Sequence, residues 1–309
     1  MSDEPSHPPA EEGRACLAAA RTWGAARRLA TEWLRAQGSD SPSLDAQALL
    51  SRVTRASRAA LLAYPERALT AAQAAEYAAL VARRAAGEPV AYLLVQREFM
   101  GLTFQTDARA LIPRPETELL VEAALAEIRV RLADATRPSP LVADIGTGGG
   151  AIAIALAALE PRLERVYATD ISSDALALAA TNATALSVAA RVQFLQGDLL
   201  APLPEPVDII IANLPYIAPD DPDVAPGVRD YEPHLALYSP AGGLEHIQRL
   251  LAQAPAALRP GGALFLEFGY NQRAAVEALA RQIFPDSALR AIADYAGWDR
   301  AIAIRLRST

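Results

Sequence analysis

The chain contains no lysine, so all 29 of its basic residues are arginines. It has one cysteine, Cys16, and three histidines, His7, His234 and His246. A single cysteine excludes an internal disulfide and a cysteine-rich zinc site, and it fits a reducing compartment. So few histidines also give no basis for a histidine-based metal site. We therefore expect this protein to use no metal ion.

Long apolar runs are missing as well. The longest, Ala151–Leu159, is much shorter than the roughly 20 residues that a membrane helix needs. Residues 2–12 are acidic and contain prolines, without the basic start and apolar stretch of a signal peptide. We expect a disordered leader over residues 1–14, no membrane contact and a cytoplasmic location.

Positive charge is scarce in the larger part of the chain. The formal net charge is −7. Residues 1–90 hold 11 arginines and 10 acidic residues, whereas residues 91–309 hold 18 arginines and 26 acidic residues. Because nucleic-acid binding normally requires a basic footprint, this distribution argues against direct nucleic-acid binding.

The first part of the chain has helical periodicity. Apolar residues recur at near-helical spacing over residues 22–37, 45–55 and 70–86, which predicts an all-helical domain over residues 15–87. Residues 88–112 consist of short β-prone pieces, including 90–95, and Gly101 is placed to turn a hairpin. We expect this segment to be a β-hairpin linker before a second domain over residues 113–309.

The second domain alternates strand and helix patterns. After a helix predicted at 116–132, the strand patterns lie at residues 141–144, 166–170, 192–196, 207–212 and 263–268, with closing strands at 288–293 and 300–306. The helix patterns between them lie at residues 151–159, 173–186 and 244–257. Buried strands that alternate with helices predict an α/β fold with a parallel, doubly wound sheet.

A glycine-rich turn follows the first of these strands. Its candidate ligand-contacting residues are Asp144, Gly146, Thr147, Gly148, Gly149 and Gly150. Glycines let the backbone pass close to a nucleoside cofactor, although a merely tight strand-to-helix connection would use them too. The dinucleotide G-x-G-x-x-G pattern is met only in its looser form, because position 151 is alanine.

Two later acidic residues also point to a nucleoside. Asp170 ends the second strand, where a carboxylate can accept hydrogen bonds from two ribose hydroxyls; its alternative role is to cap a helix. Asp198, followed by Leu199, comes after the third strand and can accept from an adenine amine, or can simply belong to a turn. All of these positions follow strand carboxyl ends, where open α/β sheets bind ligands.

The tetrapeptide Asn213-Leu214-Pro215-Tyr216 follows the strand pattern at 207–212. The Asn213 side-chain oxygen and the Leu214 carbonyl can accept N–H groups of a planar amine or amide, with Asn213 also near the cofactor. Pro215 stiffens the loop and Tyr216 can stack on the planar group. An ordinary Asn-Pro turn is the alternative. With the glycine turn, the motif predicts methyl transfer from S-adenosylmethionine, leaving S-adenosylhomocysteine.

Several further motifs carry a family resemblance over residues 20–308. They include Arg97-Glu98-Phe99-Met100-Gly101-Leu102, Ile112-Pro113-Arg114-Pro115-Glu116-Thr117-Glu118, Tyr231-Glu232-Pro233, Gly261-Gly262 and Leu266-Glu267. With the glycine turn and the Asn213 motif, the chain resembles the protein-glutamine methyltransferases that modify peptide chain release factors (PrmC/HemK).

The resemblance implies an N-terminal helical domain that docks the substrate, a β-hairpin linker and a Rossmann-like class I methyltransferase domain with a seven-stranded, mostly parallel sheet. It implies that the methyl acceptor is the glutamine of the release-factor Gly-Gly-Gln motif, and we expect a monomer. Arg114, Glu116 and Glu232 are candidate substrate-binding residues. The family usually has Asn-Pro-Pro-Tyr, so Leu214 is a departure, although its backbone carbonyl is retained.

Two other functions compete with this interpretation. Asn-Leu-Pro-Tyr also resembles the motif of ribosomal-RNA adenine dimethyltransferases, which makes an adenine amine of RNA or DNA the alternative acceptor. The acidic second domain disfavours it. A catalytically inactive cofactor-binding interaction protein is the other alternative, and the presence of Asn213, Pro215 and Tyr216 argues against it.

Overall fold

The computed structural model describes residues 10–134, 136 and 138–307. They form two compact units: a helical unit that runs to Gln96 and includes Ala225–Tyr231, and a sheet unit made of Arg97–Val224 and the chain from Glu232 onwards. Residues 1–9 of the expected leader lie outside the described residues. Residues 10–14 belong to a helix that runs from Ala10 to Ala18, so the expectation of disorder was wrong for them. No helix in the described ranges is long and apolar enough to cross a membrane.

The helical unit is built from six short helices, three of which have a side-chain N-cap among the described residues. They are α1 (Ala10–Ala18), α2 (Trp23–Ala36), α3 (Pro42–Thr54), α4 (Arg58–Ala63), α5 (Ala71–Ala85) and α6 (Val90–Leu94). Thr22 accepts from the Ala25 N–H at the start of α2, and Thr70 forms a capping box with Gln73 at the start of α5. The buried Tyr77 hydroxyl donates to the Ala46 carbonyl, which fastens α5 to α3.

Residues 90–94 form helix α6, so the prediction of a β-prone piece there was wrong. Pro89 precedes the first turn, and Val95, with φ of 60°, ends the helix. Leu93 is buried in the apolar core of the helical unit. This packing outweighs the β-propensity of a short valine-containing run.

The hairpin is therefore shorter than the predicted linker. It consists of β1 (Gln96–Phe99) and β2 (Leu102–Gln105), joined at Met100 and Gly101, which both have positive φ. Phe99 and Phe104 are buried and pack edge to face, with ring centroids 6.0 Å apart. Helix α7 (Pro115–Leu132) follows, with Pro115 at its first position.

The sheet unit contains the predicted seven-stranded, mostly parallel sheet, which confirms the α/β fold class. Its strands are β3 (Val142–Ile145), β4 (Val166–Asp170), β5 (Val192–Gln196), β6 (Val207–Ala212), β7 (Leu258–Glu267), β8 (Ala288–Ala293) and β9 (Asp299–Arg305). Their spatial order is β5-β4-β3-β6-β7-β9-β8. Strands β3 to β7 are mutually parallel, and β9 runs antiparallel to both β7 and β8.

Helices connect and cover these strands: α8 (Ala151–Leu159), α9 (Ser173–Ala185), α12 (Glu245–Ala257) and α13 (Arg273–Ile283). Two shorter segments, α10 (Pro226–Tyr231) and α11 (Pro240–Gly243), precede α12. Sequence analysis missed α4 and α13. Helix α13 is amphipathic, with Val276 and Ala280 buried on one face four residues apart, so a helical signal was available in its sequence.

The strand register brings three carboxyl ends together. Ile145 at the end of β3 pairs with Ala212 at the end of β6, and Ala212 pairs with Leu266 near the end of β7. The residues that follow Ile145, Ala212 and Leu266 in the sequence are Gly146, Asn213 and Glu267. The glycine turn and the Asn213 motif therefore emerge side by side at one edge of the sheet, about 60 residues apart in sequence.

Candidate active site

A pocket lies in the sheet unit at the carboxyl ends of β3, β4 and β6. The predicted site residues that line it are Arg114, Gly146, Thr147, Gly148, Gly149, Asp170, Asp198, Leu199, Asn213, Leu214 and Pro215. The predicted site residues that do not line it are Asp144, Gly150, Glu116, Tyr216 and Glu232. The structure thus brings both sequence motifs to one cavity, and it gives the remaining residues other contacts.

The glycine turn needs glycine for conformational reasons. Gly146, Gly148 and Gly150 have φ of 71°, 53° and 85°, a region that side chains disfavour. The Gly146 and Thr147 N–H groups both donate to the Thr169 carbonyl at 2.9 Å, so the turn is held against β4. Gly150 does not line the pocket; it is the N-cap residue of α8, and a Cβ there would lie 2.6 Å from Ile154 Cδ1.

Asp144 supports this turn from inside the protein. Its side chain is fully buried, and Oδ2 accepts from the Thr147 hydroxyl at 2.6 Å and from the Ala153 N–H at 3.0 Å. Oδ1 has no hydrogen-bond partner among the described residues. Burial raises the pKa of Asp144 to about 7, against the opposing effect of its hydrogen bonds. Its observed contacts are with the turn and α8 rather than with the cavity.

Asp170 both holds the turn and faces the pocket. Its Oδ2 accepts from the Gly148 N–H at 2.8 Å and its Oδ1 accepts from the Ser172 N–H at 2.9 Å. The predicted alternative, capping of the next helix, belongs instead to Ser172, whose side chain accepts from the Ala175 N–H. Each carboxylate oxygen keeps lone-pair capacity for ligand hydroxyls.

Asp198 lies on the pocket wall and forms an ion pair with Arg249, another lining residue. Both side chains are more than 40% exposed, so this pair contributes little stability and can rearrange. The adjacent Leu199 is buried with φ of 49°, and its carbonyl accepts from the buried Thr169 hydroxyl at 2.9 Å. The carboxylate of Asp198 and the apolar side chain of Leu199 are therefore neighbours in the lining of the pocket.

Asn213 is the first member of a hydrogen-bonded chain that continues into the protein. Its Nδ2 donates to Thr117 Oγ1 at 3.0 Å, and the Thr117 hydroxyl donates to Glu267 Oε2 at 2.7 Å. The Tyr216 hydroxyl donates to Glu267 Oε1 at 3.3 Å. Tyr216 is thereby directed towards Glu267, and it is not among the pocket-lining residues where the predicted stacking on a ligand would occur.

Glu267 is buried beneath this chain, with 2% of its surface exposed. Burial raises its pKa to about 7, while the hydrogen bonds from Thr117 and Tyr216 act in the opposite direction. Burial is also the main cause of the raised pKa of Tyr216. Both groups therefore hold their protons more strongly than they would in water.

Leu214 packs where the family usually has proline. Its side chain is 3% exposed, and a Cβ at Gly146 would lie 2.9 Å from Leu214 Cδ2. The leucine side chain thus fills the space that the missing side chain of Gly146 leaves. This contact joins the Asn213 motif directly to the glycine turn.

Glu232 is a buried carboxyl residue with two partners inside the sheet unit. Its side chain is 1% exposed, with one oxygen accepting from the Ile112 N–H at 3.1 Å and the other paired with Arg114. Arg114 itself is partly exposed and lines the pocket. Glu116 is half-buried in the first turn of α7, away from the lining. Glu232 therefore holds Arg114 in place, and Arg114 is the member of this trio that reaches the cavity.

Sequence analysis assigned no role to three residues that shape this site. Thr117 and Glu267 were noted only as parts of motifs, and Asn182 was not noted at all. Asn182 is buried, exchanges two hydrogen bonds with the Gln105 backbone and donates to the Gly149 carbonyl at 2.9 Å. An asparagine inside an otherwise apolar helix pattern was the available signal, because a buried amide needs partners.

Comparison with known proteins places these features in a family. The family model described as "PrmC N-terminal domain" matches residues 25–94, and "Methyltransferase small domain" matches residues 123–225. The chain is 45% identical over 278 residues to the "Release factor glutamine methyltransferase" of Moorella thermoacetica, covering 89% of this chain and 94% of that protein. The chain belongs to the release factor glutamine methyltransferase family. The family resemblance predicted from the sequence is thus confirmed.

Other members of this family are similar over the same extent. The protein of the same name from Vibrio cholerae is 41% identical over 278 residues, covering 89% of this chain and 94% of that protein.

Among solved structures, a ribosomal protein L11 methylase from Lactobacillus delbrueckii has a TM-score of 0.45 and 23% identity, covering 64% of this chain and 81% of that one.

Proposed function

We propose that this protein transfers a methyl group from S-adenosylmethionine to the side-chain amide nitrogen of the glutamine in the Gly-Gly-Gln motif of peptide chain release factors. The observation that carries the proposal is the shared cavity: Asn213, Leu214 and Pro215 line the same pocket as the glycine turn and Asp170. Membership of the release factor glutamine methyltransferase family supports the same reaction.

The residues of the pocket fit the cofactor. The turn over Gly146, Gly148 and Gly149 presents backbone without side chains, and Asp170 keeps acceptor capacity for a ribose diol. Leu199 and Ile171 supply apolar surface for a purine beside the carboxylate of Asp198. When bound there, S-adenosylmethionine supplies an electrophilic methyl group on a sulfonium leaving group.

The protein's own task is to position and polarise the acceptor nitrogen. An amide nitrogen is a poor nucleophile because its lone pair is delocalised. Asn213 Oδ1 and the Leu214 carbonyl accept its N–H groups, and these hydrogen bonds strengthen as positive charge develops on the nitrogen. One of the two N–H protons is then lost to solvent, so that the product is the neutral N-methyl amide. Pro215 limits the movement of the two acceptors, so the substrate amide is held in a productive orientation.

The two alternative functions are less well supported. An adenine amine would suit the Asn213 acceptors, but residues 91–309 carry 26 acidic residues against 18 arginines. That balance opposes a nucleic-acid backbone. A protein without catalysis has no need for an Asn213 that lines the cofactor pocket and is held by a hydrogen bond to Thr117, which is itself bonded to the buried Glu267.

We also propose that the helical unit docks the release factor and that the enzyme acts as a cytoplasmic monomer without a metal ion. The single cysteine fits a reducing compartment, and three histidines give no basis for a histidine-based metal site. We expect light scattering to give the mass of one chain. We also expect methyltransferase activity to be unchanged by a metal chelator. A dimer mass or a loss of activity on chelation would contradict the corresponding point.

A labelling experiment tests the reaction. Tritiated S-adenosylmethionine is supplied with an intact release factor, with the same factor carrying alanine in place of the Gly-Gly-Gln glutamine, or with ribosomal RNA. Label on the intact factor alone is the expected result. Label on RNA would instead assign the adenine reaction, and cofactor binding without transfer to any acceptor would favour the inactive alternative.

A further inference from the structure

The side chain of Asn213 can point its oxygen or its nitrogen into the pocket. The two orientations of a carboxamide differ by a half-turn about one bond, and they have almost the same shape but opposite hydrogen-bonding character. Only the orientation with Oδ1 in the cavity can accept an N–H from a substrate amide. The proposed reaction therefore needs a feature of the protein that selects this orientation.

Thr117 and Glu267 provide such a feature. The Thr117 hydroxyl has one proton, and it donates that proton to Glu267 Oε2 at 2.7 Å. Thr117 Oγ1 can then offer Asn213 only lone pairs. Asn213 accordingly turns its Nδ2 towards Thr117, at 3.0 Å, which leaves Oδ1 free of that contact.

Burial makes this arrangement hard to reverse. Thr117 is 4% exposed and Glu267 is 2% exposed. A flipped Asn213 would place its oxygen against an oxygen that has no proton to give, so two acceptors would face each other without water to separate them. The second oxygen of Glu267 accepts from Tyr216, which helps to keep the carboxylate in place.

The three residues come from separate elements. Thr117 lies in the first turn of α7, Asn213 follows β6 and Glu267 ends β7. Of the three, Thr117 and Asn213 line the pocket, whereas Glu267 does not. Among the described residues, the hydrogen bonds of Glu267 connect it to the pocket through Thr117.

We propose that Thr117 and Glu267 are positioning residues that set the amide orientation of Asn213, so that its oxygen faces the methyl acceptor. This inference rests on the proposed function, because it assumes an acceptor that presents N–H groups. It extends the reactive unit beyond the Asn213 tetrapeptide to a threonine and a glutamate, 96 and 54 positions from Asn213.

The first test compares Thr117→Val with Thr117→Ser. Valine keeps the shape of threonine but lacks the hydroxyl, whereas serine keeps the hydroxyl. We expect Thr117→Val to lower kcat for release-factor methylation roughly 10- to 100-fold, since it removes the orientation of a transition-state acceptor. The Kd for S-adenosylmethionine should change less than about twofold, and Thr117→Ser should restore most of the rate.

The second test asks whether Thr117 and Glu267 act as one unit. Glu267→Gln retains an oxygen that can accept from Thr117, so it should keep clearly more of the wild-type kcat than Glu267→Leu does. Glu267→Leu should lose about as much kcat as Thr117→Val, and the double variant should be little worse than either single variant. Thermal unfolding is measured for each, and only variants that unfold cooperatively are compared.

The outcomes separate the two proposals. A wild-type enzyme that methylates the release factor, together with a folded Thr117→Val variant of unchanged kcat, would overturn the orientation inference and leave the function intact. Equal losses in Thr117→Val and Thr117→Ser would overturn it as well, because the hydroxyl would then not be the cause. A wild-type enzyme that labels no glutamine would instead overturn the proposed function itself.

Discussion

Asn213 combines a donor and an acceptor on one short side chain, and its surroundings decide which of them a substrate meets. The donor is taken up by Thr117 at 3.0 Å, which leaves the oxygen for the pocket. At the level of single residues, the orientation of Asn213 follows from the single hydroxyl proton of Thr117. Thr117 donates this proton to Glu267, so its oxygen can only accept from Asn213. The buried Glu267 is the acceptor at the inner end of this chain of hydrogen bonds.

Replacement of Asn213 by alanine should separate binding from catalysis. We expect Asn213→Ala to lower kcat at least 100-fold, because it removes an acceptor whose hydrogen bond strengthens in the transition state. Cofactor affinity, measured by calorimetry, should stay within about threefold of the wild-type value. Equal losses of affinity and turnover would show that Asn213 serves mainly to hold the loop.

At the level of elements, the loop after β6 is fastened at both ends. Its start is held by the Leu214 side chain against Gly146. Its end is held by Gln272, whose Nε2 donates to the Tyr216 carbonyl at 2.9 Å, and by a bridge between Ile217 and Tyr238. A loop that presents backbone acceptors to a substrate needs this restraint, because small displacements weaken catalysis strongly.

The two glycines of α11 offer a matched test of that restraint. Gly242 and Gly243 both have positive φ, of 66° and 87°. A Cβ at Gly243 would lie 2.1 Å from the Tyr216 carbonyl oxygen, whereas a Cβ at Gly242 would meet no atom within 4 Å. Gly242→Ala should therefore cost only about 1 kcal/mol of backbone strain.

Gly243→Ala should cost at least about 3 kcal/mol of unfolding free energy and should reduce kcat, because backbone atoms of the reactive loop must move. Urea unfolding and methylation assays of the two variants provide the measurement. Equal effects of the two substitutions would mean that the contact with Tyr216 does not restrain the loop.

At the level of the whole molecule, two buried carboxyl groups link stability to pH. Asp144 and Glu267 are essentially inaccessible to solvent, and burial raises the pKa of each to about 7, from ordinary values near 4. A raised folded-state pKa means that the folded protein binds the proton more tightly than the unfolded chain does. The stabilising contribution is therefore complete below about pH 4 and is lost as the pH rises through about 7.

Neutral substitutes should remove this dependence. Asp144→Asn can keep an oxygen for Thr147 and Ala153, and Glu267→Gln can keep one for Thr117. Between about pH 4 and about pH 7, the unfolding free energy of the wild type should fall relative to each variant, by up to ~1.4 kcal/mol per pH unit. Denaturant titrations across this range measure the difference, and parallel curves would contradict the prediction.

The helical unit carries a basic cleft of its own. Arg52, Arg55 and Arg58 line it together with Ser51, Ser57, Leu94 and Gln96, and all three arginines are exposed. A cleft with three guanidinium groups is suited to acidic side chains of a protein partner.

Reversal of Arg52, Arg55 and Arg58 to glutamate should raise the Kd for the release factor at least tenfold and leave the affinity for S-adenosylmethionine unchanged. A control that reverses Arg281, Arg290 and Arg307, which are exposed in the sheet unit, makes the same change in net charge. Fluorescence titration measures both. If the control weakens binding as much, the effect is one of overall charge rather than of the cleft.

Much of this protein follows from its sequence by itself. The alternation of apolar strands and helices from residue 141 onwards determines a parallel sheet, because strands that are buried on both faces must be almost continuously apolar. The glycine turn, Asp170 and the Asn213 motif each follow a strand, and parallel strands present their carboxyl ends at one edge. The motifs also predicted the family, which the relatives confirm.

Only the tertiary structure decided how these parts work together. Thr117 lies 96 residues from Asn213 and 150 residues from Glu267, and no local pattern can reveal hydrogen bonds over such separations. Helix α6 and the burial of Glu232 also depend on contacts between residues far apart in the sequence. Leu93 of α6 packs in the core of the helical unit, and Glu232 accepts from the Ile112 N–H, and such contacts outweigh local preferences. The sequence by itself determined the fold and the location of the pocket at the sheet edge, whereas packing between separate elements decided which atoms face it.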